Sequence, residues 1–139
     1  MGLSLPKQHI TKSDYIEYWQ VSAEKSWQAA QHLFEKEDFV ESLFFAHLTI
    51  EKASKARWVA DNTPDFPPRT HNLRILAEQT TLLISPRQLA FMEQMNTFQM
   101  EGRYPDYRFG IYQMFQEPQT KIVLQETENL YQWLLNNLP

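Results

Sequence analysis

Four histidines, six arginines and no cysteine bound the chemistry open to this 139-residue chain. Without thiols there is no disulfide frame, no thiolate metal site and no cysteine nucleophile, a composition that suits a reducing cytoplasm, the expected location. His9, His32, His47 and His71 form neither HExxH nor another ligand pair at helical spacing, and no Glu-x-x-His of a di-iron bundle occurs. The seven serines show no nucleophile elbow, and three glycines are too few for a phosphate cradle or a dinucleotide fingerprint. Glu35, Glu37, Asp38 and Glu41 sit where helix ends are expected, so dipole pairing accounts for them better than a catalytic carboxylate pair does. No metal and no cofactor is implied.

Arginine is what remains. Arg57, Arg69, Arg74, Arg87, Arg103 and Arg108 all fall in one block, and the planar guanidinium is the side chain suited to two-pronged phosphate contacts. The net charge of −4 hides this. Residues 1–51 carry 4 Lys against 8 acids and residues 109–139 carry 1 Lys against 3, whereas residues 52–108 carry 8 basic residues against 6 acids. Such a partition suits a local phosphate site and disfavours broad electrostatic wrapping of nucleic acid. Scattered surface arginines would give the same count.

The elements that position these groups are helices. Ser13 is a candidate cap for a first helix to about Lys36, with Ile16, Trp19, Ala23, Trp27, Ala30 and Phe34 as one apolar stripe. Asp38 opens a second to about Ala60, where Phe39, Leu43, Ala46, Ile50 and Ala53 form a stripe that Phe44, Phe45, Leu48 and Trp58 widen. A helix apolar over so much of its girth is central or faces a partner as well as its own core, and Ala46, Ala53, Ser54 and Ala56 allow a neighbour close approach. The proline-rich run 62–70 must be a loop. Short helices follow over 72–80 and from Ser85–Pro86 to about Met100. Residues 102–110 break the pattern, and Glu117–Pro118 restart a last helix to about Asn136 that buries Ile122, Leu130, Trp133 and Leu134. Strand alternation and internal repeats are absent. The expected fold is therefore all-α, a single up-and-down bundle of about five helices over 13–139 behind a tail of residues 1–12. No apolar run is long enough to span a membrane, and no charged-then-apolar leader opens the chain.

Three ordered segments carry more than any one of them alone. They are Ala46-His-Leu-Thr-Ile-Glu51-Lys-Ala-Ser-Lys55-Ala56, then Thr70-His-Asn-Leu73, then Arg103-Tyr-Pro-Asp106. In this order within a helical chain they resemble the HEPN family (higher eukaryotes and prokaryotes nucleotide-binding domain), over nearly the whole chain from about Ser13. The resemblance implies a helical bundle that forms homodimers and acts as an RNase or as an RNA- or nucleotide-binding partner, often beside a small nucleotidyltransferase in a toxin–antitoxin arrangement. Active RNases of the superfamily carry Arg-x(4–6)-His. With Arg103 as the arginine, the histidine should stand at 108, 109 or 110, where this chain has Arg108, Phe109 and Gly110. Arginine stays protonated and cannot take a proton from a 2′-hydroxyl, although it can hold a phosphate. In antitoxin-paired members a tyrosine two residues past the histidine is modified, and Tyr112 stands two past Gly110.

The leading expectation is a catalytically degraded HEPN-like domain. It would be a homodimer with a nucleotidyltransferase-type partner, binding a nucleotide or RNA phosphate through Arg103, Arg108, His71, Lys52, Lys55, Tyr104 and Asp106. One alternative is an endoribonuclease with a relocated base, His71 or His47. Another is a pure interaction module marked by exposed Trp58 and Phe98. Each group also has a plainer role. His71 can orient the proline-rich loop, Glu51 and Lys55 ordinarily make a solvated i,i+4 pair, and Tyr104-Pro105-Asp106 can serve only as a turn, with the carboxylate bonding back to the backbone. Met92, Met95 and Phe98 read as core or dimer packing rather than a cofactor pocket.

Overall fold

A computed structural model describes residues 9–99 and 106–138. Among them six helices occur and no strand: α1 (Lys12–Glu35), α2 (Phe39–Asp61), α3 (Leu73–Glu78), α4 (Pro86–Asn96), α5 (Gly110–Met114) and α6 (Glu117–Asn136). The fold is an all-α bundle. Helix α1 begins at Thr11 rather than Ser13. The Thr11 hydroxyl accepts from the Asp14 amide while the Asp14 carboxylate accepts from the Thr11 amide, a reciprocal cap. Ser13 has apolar Ile16 at the equivalent position and cannot complete that pair. Lys12 thus belongs to the helix and not to a tail.

A tight turn at Lys36–Asp38 reverses the chain. The Asp38 amide donates to Leu33 O and the Glu37 amide to Phe34 O, with Glu37 itself left-handed at φ 65°. This packs α2 antiparallel along α1 with alanines at the seam. Ala23, Ala30, Ala46 and Ala53 are essentially inaccessible, and the Ser42 hydroxyl donates to Ala30 O at 2.7 Å. Helix α6 covers α2 from another side, and the Tyr131 hydroxyl reaches back to Glu24 of α1. Helices α3 and α4 close a further face through Leu73, Leu76, Ala77, Phe91, Met92 and Met95. Being flanked by α1, α3, α4 and α6, helix α2 buries polar side chains as well as apolar ones.

Several sequence expectations change here. Helix α4 ends at Asn96, because Thr97 and Phe98 donate to carbonyls three residues back and tighten the last turn. The short helix α5 lies in the stretch after the break. Ile122 is 59% exposed, while Val123, Leu124, Thr127, Leu130, Tyr131 and Leu134 are buried, so the inner face of α6 is rotated from the expected one. Trp58 and Phe98 are buried, which removes them as markers of a contact surface. Met92 and Met95 are core, as their spacing suggested. No described helix is long and apolar enough to cross a membrane.

Candidate functional site

One polar row of α2 is turned inward: His47, Glu51 and Lys55, spaced four residues apart. The Glu51 side chain is 4% exposed and acts as the hub. Its Oε2 accepts from Lys55 Nζ at 3.0 Å, and its Oε1 accepts from His71 Nδ1 at 2.9 Å. A carboxylate removed from water is costly unless paired, and two charge-assisted bonds offset that cost. The Lys55 ammonium also lies 5.2 Å from the Trp19 ring centre. His71 comes from the loop before α3, and its side chain remains 44% exposed.

Asn96, the last residue of α4, completes the network. Its Oδ1 accepts from the Leu73 amide at 3.0 Å and from His47 Nε2 at 3.4 Å, and its Nδ2 donates to Asn72 Oδ1 at 3.1 Å. Asn72 in turn caps α3 through the Arg74 and Ile75 amides. With Nε2–H of His47 donating to Asn96, the other nitrogen carries a lone pair. That Nδ1 has no hydrogen-bond partner and lies 3.9 Å from Glu51 Oε1. Burial lowers the His47 pKa, against the opposing pull of Glu51, Asn96 and the His71 backbone. The row therefore holds a neutral histidine at one end, a paired carboxylate in the middle and an ammonium at the other.

The remaining candidates lie elsewhere. Lys52 faces α1, where its ammonium donates to Ser26 Oγ at 2.8 Å, and burial lowers its pKa against the pull of Glu51. The Asp106 carboxylate accepts from the Arg108 amide at 3.0 Å and the Gly110 amide at 2.7 Å, bonding back to the backbone to build the turn into α5. Phe109, left-handed at φ 55°, sits inside that turn. Arg108 is exposed beside it. Arg103 and Tyr104 lie outside the described residues. Two other arginines are committed to the fold: Arg57 to Asp61, Thr81 and Asn137, and Arg74 to Glu78 and Glu93. Among the described residues no group of three or more His, Asp or Glu is arranged to hold a metal.

Two of the three ordered sequence segments thus touch through Glu51 and His71. Of the third segment only Asp106 is among the described residues. The HEPN domain profile matches residues 16–138. The chain belongs to the HEPN family. A search of curated proteins by sequence found no match. The crystal structure of TT1696 from Thermus thermophilus is similar in fold, with a TM-score of 0.73 over 87% of this chain and 96% of that one at 14% identity. In this HEPN domain Tyr112 donates its hydroxyl hydrogen bond to Glu41, and that bond raises its pKa.

Sequence reasoning treated Glu51 and Lys55 as a solvated pair, whereas they are buried. The signal was present: a polar row four residues apart on a helix apolar around most of its girth has nowhere to go but inward. Asn96 carried no local signal, since its partners are 23, 24 and 49 residues away.

Proposed function

We propose that this HEPN domain binds a phosphate of a nucleotide or RNA beside His71, and that it is catalytically degraded. Arg103 and Arg108 contact the anion, with Tyr104 and Asp106 shaping the loop that carries them. Lys55 acts indirectly by holding Glu51, and Lys52 through α1. The observation that supports this reading is the Glu51 hub, which joins the α2 segment to the His71 segment and, through Asn96, to the end of α4 from which the Arg103 loop departs. The absence of histidine at 108–110 supports loss of cleavage. A homodimer working in the cytoplasm with a nucleotidyltransferase-type partner, in a toxin–antitoxin arrangement, completes the proposal. Tyr107, Phe109 and Met114, all largely exposed around Arg108, are the apolar surface that favours such an interface. Titration of a nucleoside triphosphate and of a short single-stranded RNA at low salt tests it. Affinity should fall steeply with salt, and Arg103→Ala or Arg108→Ala should each flatten the log–log slope by about 0.7. No binding at low salt defeats the proposal.

A second reading has its own support. A carboxylate on Nδ1 of an imidazole is the arrangement that orients a general base, and His71 has it at 2.9 Å. In that reading His71 takes the 2′-hydroxyl proton as the oxygen attacks the adjacent phosphorus to form a 2′,3′-cyclic phosphate, and the 5′-oxygen leaves with a proton from solvent. Cleavage of RNA by the pure protein that vanishes in both His71→Ala and Arg103→Ala would establish this reading. Cleavage unchanged in both would mark a contaminant.

A further inference from the structure

Helices α4 and α6 meet where the Thr127 hydroxyl lies 3.9 Å from Met95 Sδ. Beyond that contact they leave a groove of about 330 Å³, lined from α4 by Arg87 and Phe91 and from α6 by Glu126, Asn129, Leu130 and Trp133. The lining runs backward along α4 from Met95 and forward along α6 from Thr127, so the two helices are antiparallel here. Arg87 stands eight residues before Met95, roughly 12 Å of helix, whereas Glu126 adjoins Thr127. Arg87 and Glu126 thus mark opposite ends of one groove. Between them the floor is apolar. Phe91 and Leu130 are 7% and 4% exposed and belong to the core, and partly buried Trp133 packs against it.

The fold uses neither charge. Among the described residues Arg87 and Glu126 make no hydrogen bond and no ion pair, whereas Arg57 and Arg74 are tied to acids. Arg87 also lies in the first turn of α4, where the helix dipole disfavours a cation. That turn is held in place, because Ser85 and Gln88 cap it reciprocally and Pro86 opens it. A simple anion would be attracted by Arg87 and repelled by Glu126, and a simple cation the reverse. A ligand carrying both charges, well apart, satisfies both ends at once, and a flat apolar body between them covers Phe91, Leu130 and Trp133. The volume is that of a small-molecule site. We propose that this groove binds a small zwitterion, its carboxylate on Arg87, its ammonium on Glu126 and an aromatic ring between them against Trp133.

The probe is para-aminomethylbenzoate, whose two charges sit at opposite ends of a ring, and the Trp133 indole resonance of the full chain reports occupancy. Saturable binding is expected. Para-toluate, which lacks the ammonium, and para-methylbenzylamine, which lacks the carboxylate, should each bind about tenfold more weakly. Phenylalanine carries both charges on one carbon, cannot reach both ends, and should also be weaker by about tenfold. Arg87→Gln should weaken the zwitterion about tenfold while leaving para-methylbenzylamine unchanged. Glu126→Gln should do the same to the zwitterion while leaving para-toluate unchanged. Far-UV circular dichroism verifies that both variants fold. No saturation, one-charge analogues or phenylalanine binding as tightly as the probe, or a probe affinity untouched by either variant overturns the proposal.

Discussion

Replacing Glu51 by glutamine tests whether the buried row is held together by charge. The substitution preserves shape and leaves one oxygen to accept from Lys55 or His71. It removes the charge that balances an ammonium whose side chain is only 9% exposed. Deleting one partner of a buried pair typically costs about 3–5 kcal/mol, because the other charge stays behind. The retained amide acceptor and the half-exposed His71, which water can reach, place Glu51→Gln near the lower limit, about 3 kcal/mol. For 139 residues the unfolding entropy is roughly 0.3 kcal/mol per degree, so the Tm should fall by about 10 °C. Urea denaturation followed by tryptophan fluorescence gives the same quantity through the midpoint. The double variant Glu51→Gln/Lys55→Met is the control. With the ammonium gone and an apolar chain against Trp19, it should be more stable than Glu51→Gln alone by about 1.5 kcal/mol. A Glu51→Gln variant within about 0.5 kcal/mol of the parent would refute the reasoning, as would a double variant whose loss equals the sum of the singles.

Two further outcomes follow from other parts of the fold. Glu37→Gly should stabilise the protein by about 0.5–1 kcal/mol, since it relieves a left-handed backbone at a helix C-terminus at some cost in unfolded-chain entropy; a thermal melt reads it, and a lower Tm contradicts the turn geometry. His47, whose folded pKa lies below its unfolded value of 6.5, binds protons more readily once unfolded. Its contribution is therefore complete above about pH 6.5 and is lost as pH falls toward the depressed folded pKa. His47→Gln, which keeps a donor toward Asn96, should flatten the decline of the urea midpoint between about pH 7 and pH 5. An unchanged slope would place that pH dependence on other groups.

Local chemistry was legible in the sequence at several helix ends, although the cap of α1 is Thr11 and not Ser13. Ser85 acts as a cap, Pro86 occupies the first turn of α4, and α6 runs from Glu117 to Asn136, because capping and proline effects involve only neighbouring amides. The apolar stripes, with the ordered segments, established an all-α chain of the HEPN family. What they left open was rotation and depth. Whether Ile122 or Val123 faces inward depends on which side of α6 meets α2, and that is set by partners distant in sequence. The fate of Glu51 is the sharper case. Its i,i+4 bond to Lys55 is a local fact, but the same pair is a minor surface contact or a buried hub according to what covers α2. Only the tertiary structure decided that, by laying α1, α3, α4 and α6 around α2 and bringing His71 onto Glu51 from 20 residues away. Desolvation is a property of the assembled fold, and it turned an ordinary charge pair into the centre of the site.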